Sequence, residues 1–203
     1  AWTAVWEGVP RVMPGSQVDE DGRTRYRVQE TALSGYLPVQ PQEFAAGKTQ
    51  VEFQNVESTR LTVQKTWGSS TIPASVTVGL YRTTNPGQVG QNLEANRVLN
   101  ASDEPQTLTL TAAGSWRGAF ENLPKYSGGQ LYYYYALETA IGGEPVEEVS
   151  GRWQIVYSHP EKEALEAETA AVEILNIGLR DFTVEKHWLD GHNAYDTRPD
   201  DLQ

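Results

Sequence analysis

Apolar and polar residues alternate at a period of two through most of the middle of the chain. The alternating stretches are Leu61 to Trp67, Ser75 to Tyr81, Thr107 to Leu110, Trp116 to Phe120, Leu131 to Glu138, Trp153 to Tyr157 and Val172 to Ile177, separated by Gly, Pro, Asn and Asp. That period belongs to strands with one buried face, and the punctuating residues belong to turns. A succession of short strands of this kind predicts two antiparallel sheets packed as a sandwich. In the run Tyr132 to Tyr135, alternation places two rings toward the core and two toward solvent rather than forming an aromatic binding platform. Pro160 to Ala171 departs from the pattern: a proline opens a run of Glu, Lys and Ala, which predicts one short helix. The interval from Glu138 to Asn176 exceeds that from Glu30 to Asn55, so the helix reads as an insertion.

The strand pattern repeats. VEFQNVESTRLTVQKTW, Val51 to Trp67, aligns without a gap to VEILNIGLRDFTVEKHW, Val172 to Trp188, with Asn55/Asn176, Thr62/Thr183, Val63/Val184, Lys65/Lys186 and Trp67/Trp188 in register. Trp2 to Pro10 likewise matches Trp116 to Pro124, and Tyr26 to Thr31 matches Tyr134 to Thr139. Internal repetition at domain length predicts tandem units. The back part of a first unit is expected over 1–57, a whole unit over 58–178, and the opening strand of a third over 179–203.

Composition narrows the functional classes. With 27 acidic and 16 basic side chains the net charge is −11, the wrong sign for a phosphate backbone or an anionic membrane surface, so nucleic acid and membrane contact are excluded for this segment. Cysteine is absent, which removes disulfides, zinc thiolates and thiol nucleophiles. The three histidines show no triad spacing, and there is no G-x-S-x-G. The oxygen-rich loop Asp190 to Asp196 misses the EF-hand spacing and reads as an acidic turn, so neither metal nor cofactor is expected. The chain opens without a basic-then-apolar leader, so any targeting or anchoring signal is expected outside the segment.

Three polar residues sit on strands where their neighbours are apolar: Lys65 in LTVQKTW, Glu138 in YYYYALET and Asn176 in VEILNIG. Burying such groups is costly unless they are paired. One chemistry removes the cost permanently: attack of the lysine ε-amine on the asparagine carboxamide carbon, giving an amide and ammonia. Each residue type is needed. An apolar setting depresses the lysine pKa until the neutral amine is available, and raises the glutamate pKa so that a protonated acid can polarise the carbonyl and deliver a proton to the leaving group. The fold supplies near-attack geometry, so the reaction runs once without a diffusing catalyst.

These residues and their spacing resemble the collagen-adhesin B-type (Cna B) domains of Gram-positive surface adhesins and pilins. The strand T-V-x-K-x-W occurs as Thr62 to Trp67 and as Thr183 to Trp188. Leu123-Pro124-Lys125-Tyr126 is similar to the family's LPKY turn. Tyr26-x-Val28-x-Glu30-Thr31 is similar to the pilin E-box, with Tyr135-x-Leu137-Glu138-Thr139 as a looser version.

The resemblance implies tandem Ig-like antiparallel β-sandwich domains. It also implies an autocatalytic isopeptide bond between Lys65 and Asn176 with Glu138 as the catalytic acid. Glu30 would be the acid of the first unit, with Asn55 and Lys186 as half-sites incomplete within their own units. The expected role is a structural stalk segment of a cell-wall-anchored, extracellular adhesin or pilus-like protein, not a turnover enzyme, with neighbouring repeats as its partners. The alternative is an adhesive module that binds a host matrix protein or glycan through the tyrosine run or the Pro160 helix.

Overall fold

The computed structural model describes residues 3–187 and 189, apart from 16, 19, 21, 25, 27, 29 and 39–52. The ends of the repeat at Trp2, Val51 and Trp188, and the acidic loop from Asp190, lie outside the described residues. In chain order the strands are β1 (Tyr36–Pro38), β2 (Asn55–Gly68), β3 (Ser75–Thr83), β4 (Thr107–Thr111), β5 (Arg117–Pro124), β6 (Tyr126–Ser127), β7 (Gln130–Leu131), β8 (Tyr133–Ile141), β9 (Glu144–Pro145), β10 (Trp153–Ser158) and β11 (Thr169–Gly178). Two short helices, α1 (Val146–Val149) and α2 (Lys162–Glu166), precede β10 and β11.

Each of the seven alternating stretches forms a strand. One sheet runs β10-β11-β2, with β5 on the other side of β2 and β1 paired to its first residues. The facing sheet runs β4-β3-β8-β9. Inward residues of both meet in one core: Leu61 and Val63 of β2, Val172 and Ile174 of β11, Val76, Val78 and Leu80 of β3, and Tyr134 and Ala136 of β8. The pairing is antiparallel except between β2 and β11, which run parallel with Lys65 opposite Ile174 and Trp67 opposite Asn176. Parallel neighbours cannot be joined by a hairpin, and here almost the whole sandwich forms the connection between them.

β2 runs unbroken through Ser58, where one unit was expected to give way to the next. Its first residues pair with β1 and the following ones with β5. Lys125 of the LPKY turn secures this region: its backbone N–H donates to the Glu57 carbonyl at 2.7 Å and its Nζ to the Glu166 carbonyl at 2.9 Å.

Three sequence expectations are modified. The helix expected over Pro160 to Ala171 is confined to Lys162–Glu166, because Thr169, Ala170 and Ala171 are drawn into β11 by pairing with Arg60, Leu61 and Thr62. A second helix, α1, forms over Val146–Val149, where none was expected. The outer pair of tyrosines is not left to solvent either. Tyr135 stacks on Tyr81 beneath the loop that follows β3, donating its hydroxyl to the Gln91 carbonyl and accepting from Asn96.

β8 carries a bulge. Thr77 pairs with Ala140 and Val78 with Glu138, so Thr139 has no partner, and its hydroxyl donates to the Thr77 carbonyl. A bulge reverses the parity of the strand beyond it. Tyr134, Ala136 and Glu138 therefore face inward before it, and Ile141 faces inward after it. Gly79 makes room: a β-carbon there would lie 3.2 Å from Thr139 Cγ2 and 3.3 Å from the Tyr81 ring. Gly79→Ala is expected to cost about 1–3 kcal/mol through overpacking against the bulge, read as a lower urea midpoint; an unchanged midpoint would show that the bulge is not tightly packed.

Candidate functional site

The site is assembled by the strand pairing just described. Lys65 follows Leu61 and Val63 on the inward face of β2, and Asn176 follows Val172 and Ile174 on the inward face of β11. Because Lys65 pairs with Ile174 and Asn176 with Trp67, lysine and asparagine are diagonal neighbours on one face, a separation that a long side chain spans. Glu138 reaches them from the opposite sheet. Its inward placement follows the spacing Tyr134-x-Ala136-x-Glu138, the same as Tyr26-x-Val28-x-Glu30, rather than the looser reading through Tyr135 and Leu137.

The three side chains are shut away from solvent: Lys65 is 1 %, Glu138 6 % and Asn176 0 % exposed. Asn176 Nδ2 donates to Glu138 Oε2 at 2.7 Å. Lys65 Nζ stands 3.7 Å from Glu138 Oε1, an ion-pair separation too long for a hydrogen bond. It donates to the Thr66 carbonyl at 2.5 Å and lies 3.5 Å from the Ile174 carbonyl. The Trp67 ring lies under it at 4.0 Å, and Trp116 and Trp153 meet that ring edge-on, each with centroids 5.2 Å away. Three indoles thus wall off one side of the ammonium.

Two oxygens in the cluster, Glu138 Oε1 and Asn176 Oδ1, are buried and accept no hydrogen bond from the described residues. Buried acceptors without donors are costly, and a proton on Glu138 turns one of them into a donor. Electrostatics act the same way. Desolvation lowers the Lys65 pKa to about 8, against an opposing pull from Glu138. Desolvation raises that of Glu138, against the hydrogen bond from Asn176 and the charge of Lys65. Both shifts favour the neutral amine beside the neutral acid.

Glu30 and Asn55 are also brought together. Asn55 Nδ2 donates to Glu30 Oε1 at 2.7 Å, the same contact as between Asn176 and Glu138. Lys186 lies elsewhere, exposed in the stretch after β11 that has no regular secondary structure.

Sequence reasoning found the three central residues but not the indole wall. The signal was the recurrence of Trp67 at the end of the lysine strand, and of Trp116 at the start of the stretch that leads into the LPKY turn. Among the described residues no cluster of His, Asp and Glu suits a metal, and no helix is long and apolar enough to cross a membrane. An open cleft of about 640 Å³ lies between the loop after β2, the β9 and α1 region and the end of β11, lined by Ile72, Arg152, Trp153 and Arg180 among others. Lys65, Glu138 and Asn176 do not line it.

Residues 61–151 match the model of the Cna protein B-type domain. The collagen adhesin of Staphylococcus aureus is 23 % identical over 203 residues, all of this chain, which spans 14 % of that protein's length. Two solved structures are similar in part. The pilus adhesin SpaC of Lactobacillus rhamnosus GG matches 62 % of this chain and 13 % of its own at 18 % identity, with a TM-score of 0.42. The two-B-repeat structure of the Staphylococcus aureus collagen binding protein matches 78 % of this chain and 34 % of its own at 16 % identity, with a TM-score of 0.38.

With Asn176 replaced by alanine, Lys65 keeps its free amine and is expected to titrate near 8 by NMR. A lysine pKa lowered in the folded state gives stability that is fully present above the ordinary 10.5 and is lost as the pH falls through about 8. Unfolding free energy should accordingly rise across that window relative to the same protein carrying Lys65→Met. A Lys65 titration near 10.5 would contradict the account.

Proposed function

We propose, from the match of residues 61–151 to the Cna protein B-type domain, that the chain is a stalk segment of a Gram-positive cell-surface adhesin or pilus-like protein, braced by a self-formed amide bond between Lys65 and Asn176. The observation that carries this reading is the buried contact of an amine, a carboxyl group and a carboxamide in the core. Neutral Lys65 Nζ attacks Asn176 Cγ. A half-turn of the carboxamide exchanges Nδ2 for Oδ1 at Glu138, so the protonated acid donates to the oxygen on which charge develops. The Nζ–Cγ bond forms, the Cγ–Nδ2 bond breaks, and Glu138 relays a proton from the lysine nitrogen to the departing ammonia. The reaction happens once per molecule and is not enzymatic turnover.

Mechanics supply the reason for such a bond. Tension entering along β2 and leaving along β11 shears two parallel neighbours past each other, and the crosslink between Lys65 and Asn176 carries that load covalently. It closes a loop of about the length at which disulfide closure stabilises by about 4–5 kcal/mol, if the chain-entropy model transfers.

On the same reading, Glu30 and Asn55 are the acid and acyl group of a preceding repeat, and Lys186 is the nucleophile of a following one, with repeats dividing near 57 and 178. Neighbouring repeats are then the main partners, and the segment is displayed outside the cell. Of the tyrosine run that the adhesive alternative invokes, Tyr134 and Tyr135 are enclosed, while Tyr132 and Tyr133 are half-buried.

Intact mass spectrometry tests the bond. The protein is expected to weigh one ammonia less than its sequence requires, and Lys65→Ala or Glu138→Ala to restore full mass in a folded but less heat-resistant chain. Full mass in the unaltered protein would refute the proposal. Followed during synthesis, bond formation should depend on pH through both groups, favoured as Lys65, lowered by burial to about 8, loses its proton and disfavoured as Glu138, whose pKa burial raises, loses its own. A rate independent of pH would rule out this division of acid and base roles.

A further inference from the structure

Glu138 is held by more than its side-chain contacts. β8 lies at the margin of its sheet: beyond it only the two-residue β9 pairs, with Ala140 and Ile141. The backbone N–H of Glu138 instead donates to the hydroxyl oxygen of Tyr157, at 3.1 Å. Tyr157 belongs to β10, the outermost strand of the other sheet, and follows Trp153 and Ile155 on its inward face. Its Cα partner on β11 is Ile174, which is also the Cα partner of Lys65 on β2. The ring packs against both the main core and the Tyr81/Tyr135 cluster, and His159 stacks on it at 5.6 Å between centroids. Tyr157 therefore closes the side seam of the sandwich, where two edge strands face each other without a shared ladder. Burial pushes its phenol pKa up, so it remains neutral beside the acid.

The position of that hydrogen bond matters because the bulge at Thr139 begins at the next residue. A slip of one residue in β8 would turn the Glu138 carboxyl to the outer face. We propose that Tyr157 is a positioning residue for amide-bond formation, its hydroxyl pinning the backbone of Glu138 and hence the register that aims the carboxyl at Asn176. This rests on the isopeptide reading above. Tyr157 touches neither reacting atom; it acts through Glu138.

The test uses Tyr157→Phe, which keeps the ring and deletes the oxygen. During cell-free synthesis, with samples quenched at intervals and weighed intact, ammonia loss is expected to be about tenfold slower than in the unaltered chain, as loss of one buried hydrogen bond predicts. The Glu138 amide, followed by NMR, should exchange its proton faster. Tyr81→Phe is the control, because it removes a comparable hydroxyl, bonded to Asn92 Oδ1 at 2.9 Å, without touching Glu138. It should leave both readouts unchanged. Crosslinking at the normal rate in Tyr157→Phe, or equal slowing in Tyr81→Phe, would overturn the inference while leaving the isopeptide reading intact. Absence of ammonia loss in the unaltered chain would sink the isopeptide reading itself, whatever the Glu138 amide does.

Discussion

An ammonium group and a carboxyl group buried together in the apolar core form the constraint around which this sandwich is arranged. Each ion alone would be expensive to bury, and at 3.7 Å their attraction is not helped by a direct hydrogen bond. The surroundings compensate only in part. Two carbonyls and an indole face stabilise the lysine, and one carboxamide proton stabilises the glutamate, while two oxygens have no donor among the described residues. A cluster so incompletely satisfied lowers its free energy by neutralisation, first through proton transfer and then, on the reading proposed here, by irreversible condensation.

Topology brings the groups together. The parallel pairing of β2 with β11 sets lysine and asparagine side by side although almost the whole domain separates them in sequence. The bulge after Glu138 lets β8 turn the acid inward and still return Ile141 to the core. The same strand, β2, carries Asn55 near one end and Lys65 near the other, so the contact between Glu30 and Asn55 and the cluster around Lys65 share a continuous backbone.

Much of this was legible in the residues. Alternation located seven strands because each buries one face, and Lys65, Glu138 and Asn176 stood out as polar residues in apolar strands. The parallel pair was not legible, since its partners lie far apart in sequence and no turn signal marks the pairing. The bulge was hidden because four consecutive tyrosines satisfy either phase of a strand, and only the match of Tyr134 and Ala136 to Tyr26 and Val28 distinguishes them. The helix was overextended because Thr169 to Ala171 have no local feature to oppose helix; their strand conformation is imposed by β2. Tyr157 gave no signal of its own, because its contact with Glu138 depends on how two sheet edges meet.

The central claim is that Lys65 and Asn176 become one covalent unit. Protease digestion of the unfolded protein followed by fragmentation mass spectrometry tests it at the level of the bond. The account predicts a branched peptide in which the segment containing Lys65 is joined through its side chain to the segment containing Asn176. Recovery of those two segments only as separate linear peptides, each with an unmodified side chain, would contradict it.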